Sequence, residues 1–304
     1  MRVHPAVTQT RTGLADQVRS ALFGGPQPPF GTFGWSTRST MSETLVIIPT
    51  YDEAENVRPI VERTLAATDD TVHVLVVDDN SPDGTGDIAD AIATETDRVH
   101  VLHRTVKDGL GGAYLSGFAW GLEHGYAKLV EMDADGSHHP EYLPWMLELA
   151  DSNDLVLGSR WVKGGKVENW PWYRLLLSRG GNLYTRLALG IAVRDATGGF
   201  RVFTSKAFER IDLAGVASKG YCFQVDLCWR ALEAGLRVVE TPITFTEREF
   251  GVSKMSGNIV RESLALVTKW GIDRRIRETR SLVKDHRKLP SVRKNAHAVA
   301  DHAA

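Results

Sequence analysis

Four short apolar runs, each stopped by a polar turn and separated by helical stripes, constrain this chain more than any other feature. They are Leu45-Val46-Ile47-Ile48, Val72-His73-Val74-Leu75-Val76-Val77, Val99-His100-Val101-Leu102 and Leu129-Val130-Glu131-Met132. Runs this short, apolar at consecutive rather than alternate positions, mark strands covered on both faces. Between them apolar residues recur at helical spacing: Val57, Ile60, Val61 and Leu65, then Ile88, Ala91 and Ile92, then Leu115, Phe118, Ala119 and Leu122. This βα repetition over about 90 residues predicts an α/β fold with a mostly parallel, doubly wound sheet and right-handed crossovers.

The second half is more mixed. Strands are expected at 155–158, 200–203 and 238–243, and helices at 174–189, 224–234 and 257–270. Residues 1–40, rich in Gly, Pro, Thr and Arg without a period, read as a disordered segment, with Met41 as a candidate start. A catalytic domain is expected over 41–272 and a basic, loosely ordered tail over 273–304. From 273 to 294, nine Lys/Arg stand against three Asp/Glu, in a chain whose net charge is −2. That near-neutral whole argues against a nucleic-acid binder, while the basic tail suits an anionic membrane surface. Cys222 and Cys228 are too few for a disulfide framework, and no Cys/His cluster has zinc spacing, so a reducing cytoplasm is expected. No secretory signal and no run of 18 apolar residues is present, so no membrane-spanning segment is expected.

Three of the strands end in acidic turns: Asp52-Glu53, Asp78-Asp79 and Asp133-Ala134-Asp135. In a parallel sheet these line one edge, where open α/β sheets bind ligands. Carboxylates so close repel unless a cation or hydrogen-bond donors compensate. Hard oxygen ligands suit Mg²⁺ or Mn²⁺ shared with substrate phosphates, and ribose, base and sugar donors suit carboxylates. A nucleotide sugar therefore fits better than a dinucleotide, for which Gly109-Leu110-Gly111-Gly112 lacks the glycine spacing. Val76 to Asn80 is similar to the acidic pocket of a response-regulator receiver, but a whole βα unit precedes it. Residues 133–137 are similar to the nucleophile loop of haloacid-dehalogenase-type phosphatases, which normally follows a first strand, not a fourth. His138 and His139 are adjacent and point apart, so they are expected to order the loop rather than bind metal. Trp161, Trp170, Trp172 and Tyr173 crowd a loop with Gly164-Gly165 and read either as core or as a membrane-facing acceptor loop.

Several segments occur together and in order: Ile48-Pro49-Thr50-Tyr51-Asp52-Glu53, Val77-Asp78-Asp79-Asn80-Ser81, Gly109-Leu110-Gly111-Gly112, 132–140, Gly158-Ser159-Arg160-Trp161, Ser178-Arg179-Gly180-Gly181-Asn182, Ser218-Lys219-Gly220-Tyr221 and 248–254. As a set, over about residues 44–270, they resemble the polyprenol-phosphate (dolichol-phosphate) mannose synthases, inverting family-2 glycosyltransferases of GT-A (nucleotide-diphospho-sugar transferase) fold. The resemblance implies that Pro49, Tyr51, Glu53, Val77 and Asp79 hold the guanine and ribose of GDP-mannose. It implies that Asp133, Ala134 and Asp135 meet ribose, diphosphate and Mg²⁺ or Mn²⁺, with Asp133 and Asp135 as metal ligands. Asp135, Arg160, Arg248 and Lys254 would be the catalytic set, the last three contacting phosphates. Some relatives carry Gln as a further ligand where this chain has Ser137, and many append transmembrane helices. The partners so implied are GDP-mannose, a polyprenyl phosphate, the inner face of the cytoplasmic membrane in peripheral contact, and a membrane-embedded protein. Two other readings stand beside this one: a UDP-glucose-dependent hexosyltransferase, and a non-catalytic nucleotide-sugar-binding subunit of a membrane complex.

Overall fold

The computed structural model describes residues 44–211, 213, 216, 222–248 and 257–286. The expected disordered segment 1–40, Lys254 and the end of the basic tail lie outside them. In chain order the elements are β1 (Thr44–Thr50), α1 (Val57–Ala67), β2 (Val72–Asp78), α2 (Thr85–Glu95), β3 (Val99–His103), α3 (Leu110–Glu123), β4 (Lys128–Glu131), α4 (Leu143–Ala150) and β5 (Leu155–Ser159). Then come β6 (Lys166–Glu168), α5 (Trp172–Leu189), β7 (Arg201–Thr204), α6 (Cys222–Glu233), β8 (Val238–Pro242), β9 (Thr244–Thr246) and α7 (Gly257–His286).

Seven strands form one sheet in the order β3-β2-β1-β4-β7-β5-β8. All pairings are parallel except those of β7, which runs antiparallel to both β4 and β5. Successive residues of one strand feed different layers: Leu45 and Ile47 pack with α3 and α6 on one face, Val46 and Ile48 with α1 and α4 on the other. That double coverage is why the runs are apolar without alternation. Helix α3 lies close on the sheet because two of its residues have no side chain. A Cβ at Gly117 would stand 2.5 Å from Ile47 Cγ2, and one at Gly121 2.5 Å from Leu129 Cδ2.

The departures from expectation have local causes. The strand expected at 238–243 ends one residue early, at Pro242, which has no N–H to continue the ladder. Beyond it β9 pairs with β6 in a separate two-stranded sheet, which the sequence did not announce. Gly111 and Gly112 fall inside the first turn of α3 rather than in a loop, and α5 starts two residues early, at Trp172. The last helix passes through Asp273 to His286, so the first part of the basic segment is helical.

Among the described residues Arg201 is the largest fully buried side chain. It donates Nε to Gly198 O (2.8 Å), Nη1 to Gln224 O (2.7 Å) and Nη2 to Ala196 O (2.8 Å), with Glu131 Oε2 3.7 Å away across the β4–β7 ladder. Burial pushes the Glu131 carboxyl from 4.5 up to about 8 against the attraction of Arg201. The unfolded chain therefore ionises this group near 4.5 and the folded chain near 8. Its contribution to stability is whole below the lower value and is lost as pH rises through the upper one. Glu131→Gln should flatten the decline in urea midpoint between about pH 5 and 8. An unchanged slope would mean that Glu131 is ionised in the fold.

Candidate active site

The site lies along the carboxyl ends of β1, β2, β3 and β4. Two of its turns are built by carboxylates that face inward. Asp78 accepts from Thr50 Oγ1 (3.1 Å), Ser81 Oγ (2.6 Å) and Ser81 N (3.1 Å). Asp83 accepts from Ala54 N (3.0 Å) and both donors of Thr85, whose Oγ1 in turn accepts from Glu53 N (3.0 Å). Asp52 and Asn80 sit at φ 56° and 59°, the left-handed region that Asp and Asn tolerate. The Asp52 amide donates to Ser81 Oγ (3.2 Å), tying one turn to the next. The oxygens of Asp78 and Asp83 are thus spent on the turns themselves.

Asp79 is paired with Arg104 at the end of β3, and the same guanidinium holds Asp108. Both members of the Asp79–Arg104 pair are nearly buried. Burial raises the Asp79 carboxyl, while Arg104 pulls it down. Lys107 Nζ stands 3.0 Å over the Tyr51 ring, so a cation and an aromatic face adjoin this pair. Pro49 is partly buried beside Val77 in the β1–β2 register. Val77 is fully buried and forms floor; Glu53 accepts from Asn56 Nδ2 (2.7 Å) and starts α1 through its carbonyl.

Asp133, Ala134 and Asp135 follow β4 without a break. Asp133 Oδ1 accepts from Tyr114 Oη (3.1 Å), and burial pushes the carboxyl up, with the Asp135 charge adding to the rise. Burial also holds Tyr114 far above its ordinary value, so its hydroxyl stays a donor. Asp135 Oδ1 accepts from Ser137 N (3.1 Å), and Asp135 Oδ2 lies 2.8 Å from Arg248 Nη2. Ala134 is buried, and Gly136 at φ 74° turns the chain back. His138 Nδ1 accepts from Asp133 N (3.2 Å), with the ring stacked on Phe200 and kept neutral by burial. His139 Nε2 is 3.0 Å from Thr246 Oγ1. Both histidines order the loop, as expected.

Arg160 faces a partner rather than the crevice. Its Nε and Nη2 donate to Asp195 at 2.7 Å each, its amide donates to Asp195 at 2.9 Å, and Nη2 reaches Thr197 Oγ1 at 2.9 Å. Asp195 is fully buried, yet Arg160 holds it below the usual carboxylate range in spite of that burial. The rings of Trp161, Trp170 and Phe245 surround the guanidinium at 5.4–5.6 Å. So held, Arg160 forms part of the wall of the site. The four crowded aromatics divide likewise: Trp161 and Trp170 pack here, whereas Trp172 and Tyr173 stand exposed on α5.

Tyr114, Arg104 and Asp195 had no assigned role in the sequence. Tyr114 follows the glycines of α3, and Arg104 follows a strand end, a position that could have drawn notice. Nothing local links Asp195 to Arg160, 35 residues away.

Among the described residues no three His, Cys, Asp or Glu gather around a metal position. Two carboxylates alone fit a hard divalent cation that takes its remaining oxygens from a diphosphate and water. Asp133 and Asp135, one residue apart after β4, are two carboxylates of this kind.

The model of the family described as glycosyl transferase family 2 matches residues 45–212. The chain is 57% identical over 243 residues to the polyprenol monophosphomannose synthase of Mycolicibacterium smegmatis, covering 79% of this chain and 91% of that one. It is 56% identical over 228 residues to the undecaprenyl-phosphate mannosyltransferase of Micrococcus luteus, covering 75% and 93%. In fold it is similar to the glucosyl-3-phosphoglycerate synthase of Mycobacterium tuberculosis, crystallised with Mn²⁺, UDP-glucose and phosphoglyceric acid. That match has a TM-score of 0.57 at 16% identity and covers 88% and 85% of the two chains.

Arg104→Ala should strip Asp79 of its buried partner and cost about 3 kcal/mol of stability, the low end for a broken buried pair because the carboxyl can take up a proton. Arg104→Ala with Asp79→Asn should recover most of that loss in urea unfolding. Equal losses in the single and double variants would show that Arg104 acts through Asp108 instead.

Proposed function

The chain belongs to glycosyl transferase family 2, with the GT-A fold, and on that footing we propose that it transfers mannose from GDP-mannose to a polyprenyl phosphate. The products are GDP and a polyprenyl phosphate mannose whose linkage is inverted to β. The observation that carries this reading is the Asp133–Asp135 pair at the end of β4 with Arg248 against it, in a chain 57% identical to a polyprenol monophosphomannose synthase.

The acceptor chemistry explains what the site needs. A phosphate monoester oxygen is already anionic at neutral pH, so no general base has to deprotonate it. The neutral His138, with Nδ1 committed to the Asp133 amide, is then a support rather than a base. Transfer reduces to aligning that oxygen with the anomeric carbon and neutralising the departing diphosphate. Tyr51 and Asp79 would take the nucleoside. Asp133 and Asp135 would hold Mg²⁺ or Mn²⁺, which supplies charge to the leaving diphosphate. Arg248 would grip phosphate with a planar fork of donors, and Lys254 would add a second charge. In-line displacement inverts the carbon attacked, taking an α-linked donor to a β-linked product.

A lipid acceptor also requires a way to the bilayer. No helix among the described residues is long and apolar enough to cross a membrane. Helix α5 is amphipathic in an unusual sense: Trp172, Tyr173, Leu176, Leu177, Leu183 and Leu187 are all more than half exposed, while Asn182, Thr185 and Leu189 face inward. Its first turn joins the site, because Arg174 pairs with Glu247 next to Arg248. Such an outer stripe supports a peripheral position at the cytoplasmic membrane face, with the helix lying in the interface.

Purified chain with radiolabelled GDP-mannose, Mn²⁺ and polyprenyl phosphate should yield lipid-linked mannose, and UDP-glucose should neither label the lipid nor compete. Labelling from UDP-glucose alone would overturn the donor assignment. Asp135→Asn should lower the rate at least about a hundredfold, as loss of one transition-state electrostatic contact does. Leu176→Glu with Leu183→Glu should cut co-sedimentation with anionic liposomes severalfold while sparing turnover of a short, water-soluble acceptor. If binding to liposomes is unaltered, the outer face of α5 is not the docking surface.

A further inference from the structure

Arg248 stands where a metal would act. Its Nη2 is 2.8 Å from Asp135 Oδ2, and Asp135 Oδ1 is taken by the Ser137 amide at 3.1 Å, so both oxygens of that carboxylate are in use. The pair is well shielded, with 19% of the Arg248 side chain and 7% of the Asp135 side chain exposed. Mg²⁺ or Mn²⁺ binds carboxylate oxygen at roughly 2.0–2.2 Å. A metal on Oδ2 would therefore stand within a few ångströms of a guanidinium already there, and two unscreened cations so close repel strongly. The guanidinium is also only partly satisfied where it is: Arg248 Nε is buried and meets no hydrogen-bond partner among the described residues. An incoming phosphate would offer that nitrogen an acceptor which Asp135 does not. The backbone beside it is held, because Glu247 N donates to Glu168 O (3.2 Å) and the Glu247 side chain pairs with Arg174. The exchange thus needs only the side chain to swing, not the backbone at Glu247 to shift.

We propose that Arg248 is the resident counter-ion of Asp135 in the donor-free protein, and that the divalent metal and the nucleotide diphosphate displace it together. The diphosphate draws the guanidinium away and the metal takes the carboxylate, so metal binds with the donor rather than ahead of it. The proposal rests on the metal reading of Asp133 and Asp135 given above. It adds that the residue expected to assist transfer also opposes metal binding beforehand.

The test is Mn²⁺ titration of the full chain, read as loss of the free-ion electron paramagnetic resonance signal, with and without GDP. Wild type should bind Mn²⁺ weakly alone and at least about tenfold more tightly with GDP. Arg248→Ala should bind Mn²⁺ alone roughly tenfold or more tightly than wild type, and should lose most of the gain from GDP. Arg248→Lys, which keeps the charge, should stay near wild type without GDP and guards against a mere folding effect of the alanine variant. Arg248→Ala binding Mn²⁺ alone no better than wild type overturns the displacement while leaving the metal site in place. Wild type that binds no Mn²⁺ even with GDP overturns the metal reading itself, and the displacement falls with it.

Discussion

A single buried guanidinium holds the two halves of this molecule in register. Arg201 donates to carbonyls of the loop before β7 and of helix α6, and lies across the ladder from Glu131 on the strand that ends at the carboxylate pair. A charge so placed is tolerable only because three carbonyls and a nearby carboxyl receive it. Glu131 holds its proton past neutrality, so the arrangement is closer to a cation dissolved in carbonyl oxygens than to a salt bridge. Through Arg201, β7 is fixed between two strands that run the other way, and the loop at 195–198 is fixed with it. That loop carries Asp195 and Thr197, the partners of Arg160.

The crowd of acids at the sheet edge is resolved largely by the protein itself. Asp78 and Asp83 spend their oxygens on turn donors, Asp79 has Arg104, Asp195 has Arg160, and Asp135 has Arg248. Asp133 is the exception in kind, accepting from a hydroxyl that cannot ionise near neutral pH. Apart from the Arg248–Asp135 pair, these acids are therefore held in place by the protein's own groups, which lowers the reorganisation that binding or transfer must include.

What could be read from the sequence follows from which interactions are local. The first four strands and their helices were legible, since short apolar runs such as Leu45 to Ile48, each stopped by a polar turn and alternating with helical stripes, fit doubly covered strands. The acids at their ends were legible because topology alone brings strand ends to one edge. The sense of β7 was not, because Phe200 to Phe203 looks the same in either direction and Arg201 reads as a surface residue until its acceptors are known. The division of labour among the acids was also hidden: Asp78 and Asp79 are neighbours in sequence but opposite in role. Arg160 carried a motif, yet its Asp195 partner is set by a contact 35 residues away that no spacing rule encodes.

The reversed strand has a consequence for how such a protein can be altered. Because β7 runs against its neighbours, the segment before it, not after it, reaches the crevice. The side of the site built at the ends of β1 to β4 comes from one unbroken stretch of chain, residues 44–137. The opposite wall is assembled from three separated pieces, near 160, 195–198 and 247–248. Exchange of a single contiguous block between relatives could thus transplant the first side intact. The second side would have to be carried over piece by piece, with Arg201 and its carbonyls, or not at all.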